Sequence, residues 1–388
     1  MSGFEPLSAS YLENPYPSYA WLRDHAPVHY AEKQGWWVVS RYHDVLSVLH
    51  DHKTFIASKG VGPEIEESPI LGQMLDNDPP IHTRLRGLVN RRFTPRGVAG
   101  LEPRIRQVVN QLIDDAVERG SFDVVTDFSG LLPVFVITDL FGFEQARWRE
   151  VKGWSDHLVV SLAEQPGQAD RSAWAQEALH GYTLDLIAKR EREPRDDILS
   201  ELIAARDQRG EITTEEILGM ALMLVVAGHE TTTHLIANAA VALIQHPAQE
   251  AKLRANPALI PSMVEEVMRW DGPVQGLFRT TAVEAEINGT RIPANQKVLV
   301  LYGAANRDER QFPDPDRFDI ERSPNRQVGF GIGIHFCLGA PLARLETKIA
   351  FEELMRRFPV VQSDPSSPPV RHRNPILRGF DSLSLRLD

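Results

Sequence analysis

The chain has 388 residues, with 53 acidic side chains against 42 basic ones and a formal net charge of −11. That balance, with a pI near 5.7, argues against nucleic acid as the main partner. A composition of 42% hydrophobic and 24% charged residues is that of a soluble globular protein, and the lone cysteine, Cys337, excludes an intrachain disulfide and suits a reducing cytoplasm.

The opening "MSGFEPLSASYLENPYPSYA" has neither a basic n-region nor an apolar h-region, so no signal peptide or membrane anchor is expected. "VHYAEKQGWWVVS" reads as strand, turn around Lys33–Gly35, strand. "DPPIHTRLRGLVNRRF" puts His82 and Arg86 four residues apart on one helical face, which alone is only a basic face. Between His82 and Arg106 the chain gathers Arg84, Arg86, Arg91, Arg92, Arg96, Arg104 and Arg106, with Glu102 the one acid.

From Pro103 to about Ile260 the periodicity is helical. Thr213 and Glu216 form a capping-box pattern that opens a long helix running to about Gln245, ahead of Pro247. Its apolar run Ile217–Gly228 is too short to span a bilayer and reads as core. "AGHETTTH", Ala227–His234, is poor helix interior and predicts an interruption, though threonines bonding back to the preceding turn would explain it equally well. Glu266 and Arg269 sit three apart on a further helix, a spacing that by itself usually marks a surface ion pair. After Pro273 the signals turn to β: "EINGTRI" with a turn at Asn288–Gly289, then "QKVLVLY", and near the end "FDSLSLRL" as a returning strand. The fold class is therefore mostly α with a smaller β portion, one domain over residues 1–388.

Cys337 lies in "GFGIGIHFCLGAPLARLE", between Gly333 and Gly339 and just ahead of a helix that Pro341 can open. Unpaired N–H groups and the positive end of a helix dipole favour a thiolate, and the glycines let a flat ligand approach the backbone. A thiolate under a planar iron macrocycle fits that setting; an inert structural cysteine fits it too. Zinc on His335 and Cys337 would need two further ligands, and there is no second cysteine. C-x-x-C-H is absent, so a c-type haem is excluded, and Phe336 breaks a dinucleotide fingerprint.

The run Phe330-Gly331-x-Gly333-x-His335-x-Cys337-x-Gly339 resembles, at every fixed position, the cysteine loop of the cytochrome P-450 family, and "CLGAPLARLE" is similar to its soluble bacterial members. Ile332 departs from many of these, which carry a polar residue there. "VEEVMRW" resembles the family's E-x-x-R and "FPDPDRF" its P-x-R-F, which implies a buried Glu266–Arg269–Arg317 network. "AGHET" is similar to the oxygen-binding [AG]-G-x-[DE]-T, which implies an oxygen groove at Gly228, an acid at Glu230 and a hydroxyl at Thr231. His229 is expected to point elsewhere.

The resemblance further implies haem b (iron protoporphyrin IX) with Cys337 as axial ligand. His82, Arg86, Arg279 in "GLFRTT" and His335 would clamp the propionates, and Gly339 would lie against the macrocycle. The long helix would cross over the haem. The activity implied is a monooxygenase that oxidises a lipophilic small molecule with O₂ and two electrons. A peroxide-driven peroxygenase or a non-catalytic haem sensor is the alternative. The short tail after Glu346 leaves no room for a fused reductase, so the electrons would come from an acidic ferredoxin with its reductase. Their docking site would be the arginine-rich segment together with Arg344 and Lys348. The substrate pocket would draw on Ile70, Leu71, Met74, Leu75, Val226, Ala227, "PVQGLF" and "ILRGF".

Overall fold

The Thr213 hydroxyl accepts the N–H of Glu216, and the Glu216 carboxylate accepts the N–H of Thr213. This capping box opens a 32-residue helix, Thr214–Gln245, about 48 Å long at the α-helical rise. In the computed structural model, which describes residues 4–66, 72–160, 169–359 and 362–386, that helix is the centre of the core. Helices Leu132–Phe141, Trp148–Val160, Ala169–Arg192, Ile260–Asp271 and Ala340–Arg357 pack around it. A helix enclosed on this many sides must be apolar around most of its circumference, and this one is.

The predicted interruption at Ala227–His234 does not occur; the helix is continuous. The Thr231 hydroxyl donates to the Ala227 carbonyl, and the Thr233 hydroxyl to those of His229 and Ser129. Tertiary packing outweighs the few tenths of a kcal/mol by which such residues disfavour helix.

The β portion is small. Strands β1 (Val28–Ala31), β2 (Trp36–Val39), β3 (Phe55–Ile56), β5 (Leu277–Thr281) and β8 (Lys297–Val300) form one sheet in the order β1-β2-β8-β5-β3. Only the β2–β8 pair is parallel. β6 (Ala285–Ile287) and β7 (Thr290–Ile292) make the Asn-Gly hairpin, with φ of 49° at Asn288 and 76° at Gly289, the left-handed pair that a tight hairpin turn demands. The expected C-terminal strand is split. β10 (Phe380–Ser382) pairs with β9 (Val370–Arg371), and β11 (Ser384–Leu385) pairs with β4 (Phe122–Asp123) far back in the chain.

Among the described residues, one stretch, Val124–Phe141, is long and apolar enough to cross a membrane, and 72% of it is buried inside the fold. It is core by placement.

The Glu266–Arg269 pair is wholly buried, joined by two bonds of 2.8 Å. The third arginine is not Arg317. Its side chain is largely exposed and pairs with Asp319, and only its carbonyl takes part, accepting from Arg269. Arg322 reaches Glu266 instead, at 3.2 Å, while also donating to the carbonyls of Pro313, Asp314 and Arg317. The chain takes a positive φ at Asp314, three residues ahead of Arg317.

Candidate active site

Two glycines shape the cysteine loop through their backbone. Gly331 and Gly333 adopt φ of 69° and 74°, and a Cβ at Gly333 would stand 2.7 Å from the Leu49 carbonyl. Gly339 has an ordinary φ, and a methyl there would meet only the Cys337 sulfur, at 4.0 Å. The Cys337 N–H donates to the Phe330 carbonyl at 2.8 Å, closing the loop ahead of the Ala340–Arg357 helix. Burial pushes the Cys337 thiol up; the N–H groups of Gly339 and Ala340, with Arg86 and Arg344, pull it back only in part. Burial thus opposes the thiolate that the N–H groups and the two arginines favour.

Beside the loop lies a cluster of nitrogens with few acceptors. The His82 and His335 rings stand 4.5 Å apart, and the Arg86 guanidinium donates to the Ile334 carbonyl at 3.1 Å. Arg279 is buried on β5, opposite Val298, and donates to its own strand at Phe278. Both nitrogens of His82 and Nε2 of His335 are buried without a hydrogen-bond partner among the described residues. Burial, then the charges of His335 and Arg86, press His82 down to about 4. Asp78 stands 4.0 Å from His335 and is occupied by the N–H groups of Ala57 and Ser58. Sequence reasoning missed Asp78; its only signal was its place just before His82. Two guanidiniums beside imidazole nitrogens that have no partner among the described residues call for an anion.

On the central helix, Ala227 is exposed although the helix is otherwise largely buried, and Val226, Gly228, Glu230 and Thr231 are partly accessible. A Cβ at Gly228 would come within 3.3 Å of Ile137. His229 turns away, as expected. It bonds Ser155 at 3.1 Å and the Gly130 carbonyl at 3.2 Å, satisfying the turn of π-helix at Val124–Ser129. Although burial alone would raise it, Glu230 is held down to about 2 by His234, with smaller help from His229 and His372.

The family model described as Cytochrome P450 matches residues 161–381. The cytochrome P450 monooxygenase PikC of Streptomyces venezuelae is 40% identical, covering 98% of this chain and 92% of PikC. The chain belongs to the cytochrome P450 family. A 6-deoxyerythronolide B hydroxylase of Saccharopolyspora erythraea is 38% identical over 98% of both chains. The crystal structure of CYP109E1 from Bacillus megaterium in complex with testosterone superimposes with a TM-score of 0.89 at 33% identity, covering 98% of this chain and 100% of that one.

A P450 is a haem-iron monooxygenase, and the family holds protoporphyrin IX through a cysteine thiolate. The residues here fit that group. The unpartnered nitrogens of His82 and His335, beside Arg86 and Arg279, match two carboxylates, and the chain's single cysteine stands next to them. Parts of the expected P450 pocket lie elsewhere. Phe278 packs on Trp36 on the far side of β5 from Arg279, as strand alternation requires. Gln275 is bonded to Tyr19 and Gly272, and Arg378 to Asp271. Met74 is buried in the core, Leu75 and Val226 are partly buried against it, and Ile70 and Leu71 lie outside the described residues.

The basic segment of this P450 is largely neutralised. Arg84 pairs with Glu216, Arg91 with Glu201, Arg92 with Asp196 and Glu201, Arg104 with Asp139, and Arg106 with Glu102, Glu352 and Glu353. Arg344 pairs with Glu265 and Lys348 with Glu352. Most of these acids come from distant parts of the chain, so the local charge count overstated the patch. Arg96 is exposed and has no ion pair among the described residues.

Proposed function

We propose that this chain oxidises a lipophilic small molecule at a haem ligated by Cys337, with protons passed by Glu230 and Thr231 and electrons brought by a ferredoxin-type protein. The cluster of two arginines and two partnerless imidazoles beside the cysteine loop carries this reading. His82, Arg86, Arg279 and His335 would hold the propionates, Cys337 the iron, and the open backbone at Gly339 would lie against the macrocycle. When bound, the haem supplies the activation of O₂, chemistry that no side chain here can perform. The protein's own part is positioning and proton traffic. Arg86, Arg344 and the two N–H groups stabilise negative charge on the sulfur. Val226, Ala227 and Gly228 keep the exposed face of the helix small. Thr231 can release the Ala227 carbonyl and turn its hydroxyl to that face, with Glu230 adjacent to hand on a proton. A lipophilic substrate accords with the relatives' hydroxylase name and testosterone complex.

Thr231→Ala tests the proton assignment. Substrate binding is expected to change little, while product formed per NADH consumed falls roughly tenfold and hydrogen peroxide accounts for the difference. A fully coupled variant would refute the role given to Thr231. In the same assay a peroxygenase would turn over on added peroxide without reductant.

For electron delivery, the supporting surface is narrower than the arginine count implied. Arg96 lies in the short helix Pro95–Ala99, which packs on the cysteine-loop helix, and Phe336 in the loop is itself exposed. Arg96→Glu is expected to raise the apparent KM for ferredoxin several-fold without altering substrate affinity. The effect should fade with salt, since exposed charges are screened beyond about 8 Å at physiological ionic strength. Arg92→Glu is no clean probe, because it would face Asp196 and Glu201 and disturb the structure. Salt-independent reduction with an unaffected Arg96→Glu variant would place docking elsewhere.

A further inference from the structure

We propose that Asp381, His372 and His234 form a proton path from the protein surface to Glu230, making the histidine pair a functional part of the oxygen-activating stretch. The inference rests on the proton-delivery reading above and extends it to residues outside the "AGHET" stretch.

Glu230 and His234 are one helical turn apart, with His234 Nε2 3.2 Å from Glu230 Oε1. The ring meets the carboxylate out of line for a full hydrogen bond, and neither of its nitrogens has another partner, although His234 is 98% buried. The His372 ring lies against it, centroids 4.8 Å apart. Its Nδ1 bonds the Asp381 carboxylate at 2.6 Å, while its Nε2 is unpartnered. Glu230, His234 and His372 each place one ligating atom within 4.8 Å of the others, a gap that a single water bridges. The outer end is wet: the Asp381 side chain is 54% exposed and that of His372 21%. The hairpin of β9 and β10 carries the outer pair and is set tightly on the helix. A Cβ at Gly379 would stand 2.1 Å from His234 Nδ1, so only glycine lets the hairpin come this close.

The charge balance shows why Glu230 needs a supply. Glu230 is already ionised at neutral pH, so it is not a proton store and has to be loaded before it can give one. Although burial lowers it, His372 is raised overall by Asp381 and Glu230, and it stays protonated to higher pH than a free histidine. In each cycle His234 hands a proton to the Glu230 carboxylate, and Glu230 passes one towards Thr231. His372 then restores His234, and bulk water at Asp381 restores His372. One proton enters and one leaves, and the charge of the path is unchanged. The other titratable groups at this site are His229, which is 3.9 Å from Glu230 but bonded to Ser155 and Gly130, and Asp156, which pairs with Lys152.

The test uses the full-length holoenzyme and the variants His234→Asn, His372→Gln and the solvent-side Asp381→Asn. Histidine-selective ¹⁵N NMR of the reduced carbonyl form reads the His372 titration. Asp381→Asn is expected to move it down by about one pH unit, because loss of the carboxylate disfavours the imidazolium. Product formed per NADH is expected to drop roughly tenfold in His234→Asn and His372→Gln. In Asp381→Asn the coupling should fail at lower pH than in the parent. Unshifted His372 titration, or full coupling in both histidine variants, overturns the path. Thr231→Ala separates the two readings: if it uncouples while the histidine variants do not, the path fails and the oxygen-activating stretch stands. If Thr231→Ala stays coupled as well, both fall. Should the buried His234 variant not fold, His372→Gln and Asp381→Asn, at the accessible end, decide the question.

Discussion

Cys337→His is expected to abolish the red-shifted Soret band of the reduced carbonyl form and to take monooxygenase turnover to background. The sulfur sits at the head of a helix where two N–H groups, Arg86 and Arg344 all favour its negative charge. An anionic axial ligand pushes electron density onto the iron, and a neutral imidazole in the same place does not. The cluster of His82, Arg86, Arg279 and His335 is untouched by the change, so haem content should survive. Spectra normalised to haem content check both statements. A variant that kept the band would show that Cys337 is not the ligand.

Glu266→Ala and Arg269→Ala are expected to be the most damaging substitutions away from the cofactor. Each leaves its partner charged and buried; neither side chain has any exposure. Losing one member of such a pair costs about 3–5 kcal/mol, against a total stability of about 5–15 kcal/mol for a typical protein. Arg269 also donates to the carbonyls of Asn306, Pro315 and Arg317, so three backbone acceptors lose their donor together. Little soluble holoprotein should accumulate, and what does should unfold at a markedly lower temperature. Arg322→Ala should be milder, because its side chain is partly exposed, and Arg317→Ala should lie within about 0.5 kcal/mol of the parent. If thermal unfolding ranked Arg317→Ala below Arg322→Ala, the assignment of the third arginine would be wrong.

The parts of this protein that were legible in its amino-acid order are those set by neighbours three or four residues apart. Thr213 and Glu216 cap each other across one turn, Asn288–Gly289 closes a hairpin, and Gly331 and Gly333 supply positive φ in the cysteine loop. The contact between Glu266 and Arg269 and the nearness of His82 to Arg86 also follow from helical geometry, although the spacing of Glu266 and Arg269 by itself marked a surface pair and the pair is wholly buried. What such patterns leave open is the partner from elsewhere in the chain. Glu201 and Glu216, on other helices, and Asp196, in the turn ahead of Ile198–Arg209, neutralise arginines that read as a bare basic patch. Arg322 rather than Arg317 completes the buried network, and Arg317 stays largely exposed on Asp319. His234 looked like one more polar residue on a striped helix until β9 and β10 brought His372 and Asp381 against it. Local order sets backbone conformation through steric and hydrogen-bond constraints that act within a turn. Charge balance and proton routes depend on distances between residues more than 100 positions apart, and only the packed fold determines those.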